Sequence, residues 1–324
     1  MEISCRRRNL QAPRSNPPHM ERAVSVAKLK DSNHLLTTAS LPDRPNLGRR
    51  LTALRQKHEL ALLGGIFFAL VVLGTIFAPW LSPYDPIKQD IPSRLLTPSA
   101  IHWFGTDESG RDNFTRVLYG GRPILTTGIS SVLLALLIGM MIGTAAGYRG
   151  GLLDDLLMRV MDIMLSFPTI LLAILIVASL GTGLINTILA IAFSLIPTFA
   201  RLVRSIVITL VREQYVTAAR AVGTSDWQII AKHIFPNMIP PIIVQATATL
   251  AIAISYSSAL SFLGLGVEPP RPDWGLMVSQ GQRLIFDAIY IPFFPGLAIT
   301  LTVLSVNYIG DGLRDHLDPT LRNR

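Results

Sequence analysis

Cysteine is nearly absent from this chain, and charge is scarce. A single cysteine, Cys5, in 324 residues excludes a disulfide framework and any cysteine-ligated zinc or iron–sulfur site within one chain. Charged residues make up 15% of the sequence, against about a quarter in an ordinary soluble domain, while 50% are hydrophobic. That balance argues against an ordinary cytosolic enzyme, and against a disordered chain, which would be poor in apolar residues. No two of the six histidines stand at i, i+4, so intramembrane metalloprotease chemistry lacks its ligand pair. A G-x-x-x-x-G-K-[ST] phosphate cradle is missing as well. Gly181-Thr182-Gly183 and Gly264-Leu265-Gly266 lack the third glycine of a dinucleotide fingerprint and read as loop punctuation.

Present instead are five stretches without Asp, Glu, Lys or Arg: Leu60–Ser82, Pro123–Tyr148, Ile163–Ala200, His233–Val267 and Ala288–Gly310. A helix crosses roughly 30 Å of hydrocarbon with about 20 apolar residues. The third stretch, with 38 residues, is too long for one crossing and has a glycine turn signal near its middle. Divided into Ile163–Leu180 and Leu184–Ala200, it brings the expected number of spans to six. The fourth is expected to be helical over about Ile239–Phe262, between its prolines and Gly264. Barrel strands would alternate in polarity over about 10 residues, and soluble core helices would keep a polar face; these stretches do neither.

The Lys and Arg distribution sets the expected orientation. With both termini cytoplasmic, 22 basic residues lie on the cytoplasmic side and seven on the other; without residues 1–59 the ratio is still 10 to 7. Segment 1–59 carries 12 basic and five acidic residues, is rich in Pro, Ser and Asn, and is expected to be a disordered cytoplasmic tail. It serves as an orientation signal, or it touches anionic membrane lipid. It has no aromatic residue to interleave with its charges, which argues against nucleic-acid binding. No apolar core with a cleavage site precedes Leu60, so a secretory signal peptide is not expected.

The spans hold no ionisable side chain except His233, which falls before the expected helix start. Ion-driven carriers use intramembrane carboxylates, His or Arg. Asn186, Gln245 and Asn307 are polar but cannot relay a proton. Energy for transport is therefore expected from outside the bilayer. Gly128, Gly139, Gly143 and Gly147 suit close helix packing, and Pro168 and Pro197 are expected to bend two spans.

Between the fourth and fifth spans lies the most informative segment. Tyr215, Ala218, Ala219 and Val222 recur at i, i+3, i+4 and i+7, one apolar helix face. Gly223 ends that helix, and Ser225 with Gln228 has the spacing of a capping box that starts a second one. Asp226 opens it; Trp227, Ile230, Ala231 and Ile234 form its apolar face, and Pro236 closes it. Two short amphipathic helices joined at a glycine suit a groove on another protein, or the membrane surface.

This segment resembles the EAA loop of binding-protein-dependent ABC importer permeases: Ala218, Ala219, Gly223 and Pro236 match its pattern at the right spacing. Thr217 replaces the usual Glu, and Phe235 the usual Leu. Further segments resemble the dipeptide/oligopeptide permease C-type subunits. They are Ala78–Pro86, His102–Asp112 with Arg116 and Tyr119-Gly120, Phe262–Gly266 with Pro269-Pro270 and Asp273-Trp274-Gly275, Phe294–Leu297, and Gly310–Asp315 with Leu317-Asp318-Pro319.

The resemblance implies an all-α polytopic membrane protein with six transmembrane helices, the type I ABC importer permease fold, in the cell inner membrane. Its expected organisation is a first helix at 60–82, an external loop at 83–122 and a permease core at 123–315. The core contains a cytoplasmic coupling loop at 206–238 and an external loop at 264–290; a tail, 316–324, ends the chain. The expected ATPase-coupling residues are Tyr215, Ala218, Ala219, Gly223, Ser225, Asp226, Trp227 and Pro236. In the external loops Asp107, Arg111, Asp112, Asp273 and Trp274 stand out. Asp107, Arg111 and Asp112 are expected to pin their loop rather than touch peptide, and Asp273 to cap a helix Trp274–Ile285. At the cytoplasmic mouth, Asp311, Arg314 and Asp315 anchor the last helix or meet the ATPase.

Implied partners are a homologous second permease subunit, two ABC ATPase subunits and an external solute-binding protein, with ATP and Mg held by the ATPases and no cofactor in this chain. The implied cargo is a di- or oligopeptide; nickel chelates, opines, glutathione and antimicrobial peptides are carried by the same type. A membrane enzyme would need convergent ionisable groups at membrane depth, and a self-sufficient carrier would transport without ATPase partners.

Overall fold

The computed structural model describes residues 47–317, with side chains from Glu59 onward. The chain divides into two units, Met1–Leu54 and Arg55–Arg324, and the helical bundle belongs to the second. The basic tail up to residue 46 and Asp318-Pro319 lie outside the described residues.

Among the described residues, five helices have the length and apolarity to cross a bilayer. The first, α1 (Leu47–Ile76), contributes Glu59–Ile76 and is followed by a single turn, α2 (Ala78–Leu81). The others are α3 (Asn113–Arg149), α6 (Leu184–Val211), α9 (Phe235–Phe262) and α11 (Tyr290–Leu317). A further apolar pair passes the same test only when its two helices are taken together, and it is bent. α4 (Gly151–Leu165) and α5 (Thr169–Leu180) meet at 87°.

The expected single span Ile163–Leu180 is thus corrected. Pro168 precedes α5 and cannot continue α4, because its ring fixes φ and it lacks an N–H. The 12-residue α5 is only about 18 Å long at 1.5 Å per residue, short of the hydrocarbon thickness. Pro197 does not interrupt its helix: it is buried inside a continuous α6. Most helices also overrun their charge-free stretches. α3 begins at Asn113 and takes in Arg116 and Arg122; α6 continues to Val211 and takes in Arg201 and Arg204.

Two ends can be told apart by their residues. The loop end carries α2, the segment 82–112, and the short α10 (Trp274–Gly281) with a 3-10 turn at Gln282–Leu284. The basic end carries Arg149, Arg201, Arg204, Arg212, Arg220, Lys232 and Arg314. At the basic end, two ion pairs tie α4 to α6: Arg204 grips the Asp154 carboxylate through Nε and a terminal nitrogen (2.5 and 2.6 Å), and Arg201 pairs with Asp162.

The centre of the bundle is the contact of α3 with α6, the most extensive between any two elements. It depends on small residues. A Cβ on Gly143 would lie 2.5 Å from the Ala200 carbonyl oxygen and 2.8 Å from Val203 Cβ. On Gly139 it would lie 2.6 Å from Phe199 Cβ, and on Gly147 2.9 Å from the Arg204 carbonyl oxygen. The spacing i, i+4, i+8 puts the three on one face, so two backbones meet where side chains would hold them apart. Gly128 stands in the same relation to Ile254 of α9.

The bundle's dependence on this stripe is testable. Gly143→Leu is expected to lower the thermal midpoint of the purified protein sharply, since forcing a side chain into a filled contact costs about 1–3 kcal/mol or more. Gly65→Ala, on α1 with open space around it, should leave the midpoint unchanged or raise it slightly. Equal effects of the two would remove the stripe from its structural role.

Candidate functional site

At the basic end, α6 gives way at Arg212 to α7 (Gln214–Ala221) and α8 (Asp226–Ile229). Gly223 lies between them at φ +81°, a conformation that costs most L-residues and costs glycine little. A π-helical stretch, Ile230–Ile234, then runs from α8 straight into α9.

Three sequence-based expectations are corrected here. Pro236 does not close the second helix; it sits in the first turn of α9, where a missing N–H is harmless, and the widened π stretch ahead of it gives its ring room. Ser225 occupies the N-cap position of α8, but its side chain makes no capping bond. Two of the three buried anchors, Val216 and Ile229, lie off the expected apolar faces, and the third, Ile234, lies on one. Val216, Ile229 and Ile234 are fully buried and pack with Val203 and Val207 of α6 and Met238 and Ile242 of α9. Helical periodicity around Tyr215 picks out the neighbouring face of α7, one position away.

That neighbouring face is uncovered. Val222 is 81% exposed and Trp227 75%; Tyr215 and Ala218 are exposed, and Ala219 is half-buried. Gly223 has no neighbouring atom within 4 Å of where a Cβ would stand. The turn is therefore a ledge, held from beneath by aliphatic side chains and presenting large apolar groups outward. Thr217 is exposed, its hydroxyl donating within α7 to the Glu213 carbonyl (3.4 Å). Tyr148 and Arg220, which the motif does not contain, also lie against this turn.

Beside the ledge, α9 and α11 enclose a cleft of about 760 Å³. Pro236, Asn237 and Gln245 line one wall, and Asn307, Asp311 and Arg314 the other. Two of the three residues expected at the mouth, Asp311 and Arg314, thus share a cavity with the span residues Gln245 and Asn307. Asp315 lies with Asp311 and Arg314 along a second groove beside Leu60 and Tyr308.

At the loop end the selected residues turn inward. The Asp107 carboxylate accepts from the Arg111 Nε (2.7 Å) and from the Ser109 and Arg111 backbone, and Arg116 Nε lies 3.4 Å away. Arg116 also donates to the Pro86 and Pro270 carbonyls, so one buried guanidinium joins three stretches of chain. Asp112 caps α3 by accepting from Thr115 N–H (2.8 Å), and it lies 2.9 Å from His102 Nδ1. Asp273 caps α10 by accepting from the Gly275 and Leu276 N–H groups; the helix ends at Gly281, earlier than the expected Ile285. Trp274 is buried, its Nε1 donating to the Val117 carbonyl, with its ring against Gly120 and Gly121.

This architecture is that of a polytopic helical membrane protein, and comparison with known proteins makes the class specific. Residues 135–323 match the family described as binding-protein-dependent transport system inner membrane component. Residues 56–98 match the N-terminal TM domain of oligopeptide transport permease C. A dipeptide transport system permease protein DppC from Alkalihalophilus pseudofirmus is 48% identical over 83% of this chain and 88% of its own length. A di/tripeptide transport system permease protein DppC from Pseudomonas aeruginosa is 45% identical over 82% of this chain and 90% of its own. A glutathione transport system permease protein GsiD from Pectobacterium atrosepticum is 42% identical over 82% and 89%. Among solved structures, a chain of the inward-facing MetNI methionine ABC transporter superimposes with a TM-score of 0.51 at 21% identity, covering 63% of this chain and 96% of that one, and shares the fold. The chain belongs to the binding-protein-dependent ABC importer permeases, as a subunit of the dipeptide/oligopeptide C type. It is a multi-pass inner-membrane protein and a transporter subunit, not an enzyme, and the family implies ATPase partners and a solute-binding protein.

The Asp273 cap makes the loop end pH-sensitive. Burial raises this carboxyl from 3.8 to about 6, against the opposing hydrogen bonds from Leu276, Ser261 and Gly275. Its folded pKa exceeds the unfolded one, so its stabilising contribution is complete below about pH 4 and is lost as pH rises through about 6. In Asp273→Asn, which keeps an acceptor for the two N–H groups, the thermal midpoint should lose this component of its pH dependence between those values. An unchanged pH profile would place the titration elsewhere.

Proposed function

We propose that this chain is one of two homologous permease subunits in an ATP-driven importer of di- and oligopeptides, working by alternating access. The observation that carries the reading is the ledge at Gln214–Ile234: anchored by Val216, Ile229 and Ile234, apolar on its open side, and continuous with α9. Val222, Gly223 and Trp227 fit a groove on an ATPase subunit, where an amphipathic helix lays its apolar side chains into a complementary surface. ATP and Mg are held by the two ATPases. Their closure pushes the ledge, and α9 carries the displacement to the cleft lined by Gln245, Asn307, Asp311 and Arg314. A conformational drive of this kind needs contacts that differ between states. The second subunit completes the cleft as a pathway.

The excess of basic residues at the ledge end supports a cytoplasmic location for it, with both termini on that side and the solute-binding protein meeting the loop end. Peptide cargo is supported by the relatives named for dipeptides and tripeptides. Glutathione is the second reading, because the relatives named for its transport are 42% identical. Binding measurements on the associated solute-binding protein, with a dipeptide series and glutathione, separate the two.

Docking is tested on the assembled complex in liposomes. Val222→Glu and Trp227→Ala should leave insertion intact, since both side chains are exposed, and should abolish ligand-stimulated ATP hydrolysis; Gly223→Trp should do the same. Full stimulation in all three would refute the docking role. Ser225→Cys in a Cys5→Ser background should react with an impermeant maleimide only after cells are permeabilised. Labelling of intact cells would reverse the orientation.

A further inference from the structure

The turn at Gly223 is gripped from a third helix. Tyr148 stands in the last turn of α3, and its hydroxyl donates to Asp226 Oδ1 at 2.5 Å. The Arg220 guanidinium lies 5.4 Å from the centre of the same ring. Arg220 is three residues before Gly223 and Asp226 three residues after it, so one phenol side chain holds both arms of the bent pair. The rest of the ring packs into the aliphatic cluster under the ledge. One residue earlier, Gly147 brings the α3 backbone onto α6 at Arg204 and Val207. Apart from that aliphatic cluster and the Asn237 amide of α9, which donates to the Tyr215 hydroxyl (3.5 Å), the ledge joins the bundle at its two ends, through α6 and through the π stretch into α9. Tyr148 adds a polar point of support and leaves Val222 and Trp227 uncovered.

We infer that Tyr148 is a positioning residue for coupling: by bridging Arg220 and Asp226 it sets the angle of the bent pair and passes displacement of the ledge directly into α3. This rests on the docking reading above. A hinge glycine alone fixes no angle, because its freedom permits many. Two polar contacts on opposite sides of the glycine, both made to one rigid ring, restrict the turn to one arrangement. The bond to a carboxylate is directional, whereas the contact of Arg220 with the ring face tolerates sliding. The hydroxyl is therefore the part that specifies the angle.

The test uses the full transporter reconstituted in liposomes with its ATPases and solute-binding protein. Tyr148→Phe keeps the ring and its packing and removes the hydroxyl, which donates to Asp226 and accepts from Arg220. Assembly, thermal midpoint and basal ATP hydrolysis are expected to stay at wild-type levels. The ratio of ligand-stimulated to basal hydrolysis, and the substrate moved per ATP, should fall by roughly three- to tenfold, the range a single net hydrogen bond supports. Asp226→Ala removes the same bond from the other side, and the double variant should be no worse than the more impaired single one. Val222→Glu, measured in parallel, reports on docking itself. A wild-type ratio in Tyr148→Phe beside an uncoupled Val222→Glu would overturn the role of Tyr148 and leave docking standing. Wild-type ratios in both would overturn docking and this inference with it. Additive losses in the double variant would show that the two residues do not act through one bond, which also overturns it.

Discussion

The structure depends first on how closely α3 and α6 approach. Inside a bilayer, lipid tails are as apolar as leucine, so helices gain little by hiding side chains from their surroundings; they gain from close packing. Gly139, Gly143 and Gly147 let the α3 backbone lie against the stretch of α6 from Ile196 to Val207. Everything at the basic end is referred to that pair. α6 runs on into α7, α4 is tied to α6 by Asp154–Arg204 and Asp162–Arg201, and α3 ends at Tyr148 against the turn. A side chain inserted into the stripe would displace all of these together.

Charge is placed by the same economy. The buried charged residues of the described helices are compensated on site. Arg116 is almost fully buried, a placement costly for a lone cation, and it is matched by Asp107 and two backbone carbonyls. These partners lie 9, 30 and 154 residues away in the chain, so the guanidinium closes the loop end by joining distant segments. Trp274 does the same with an apolar body and a single N–H, filling the space left by Gly120 and Gly121. Asp107, Arg111, Asp112 and Asp273 serve the same closure, which accounts for their burial.

Legibility in the sequence depends on which interactions are local. Charge-free stretches report bilayer thickness, so the five long apolar helices can be read directly, and a glycine between two amphipathic patterns reports a bent pair. The break at Pro168 reads as a bend within one span, because composition alone does not register an 87° turn in an apolar run. Pro236 reads as a stop, because the compensating π stretch depends on the packing of Ile234 and Met238. Val216 and Ile229 escape a one-helix periodicity because their burial comes from α6 and α9. The pairs Asp154–Arg204 and Asp162–Arg201 span 50 and 39 residues, and nothing in the spacing announces them. Tyr148 is invisible for the same reason: its meaning lies entirely in the two residues it touches.

On the proposed mechanism, the stiffness of these supports decides where a push on the ledge is felt. The ledge itself is poorly compliant, with Val216, Ile229 and Ile234 fully buried beneath it. The first turns of α9 are different. Pro236, Pro240 and Pro241 remove N–H donors from the helix start, and the π stretch ahead of them has already loosened the register. A helix deforms most readily where its hydrogen bonds are missing, and these prolines form part of the cleft wall. On this mechanism, the part of the ledge's displacement that does not pass through Tyr148 into α3 is taken up at the wall that faces Asn307, Asp311 and Arg314, so a small movement at Gly223 changes the width of the cleft.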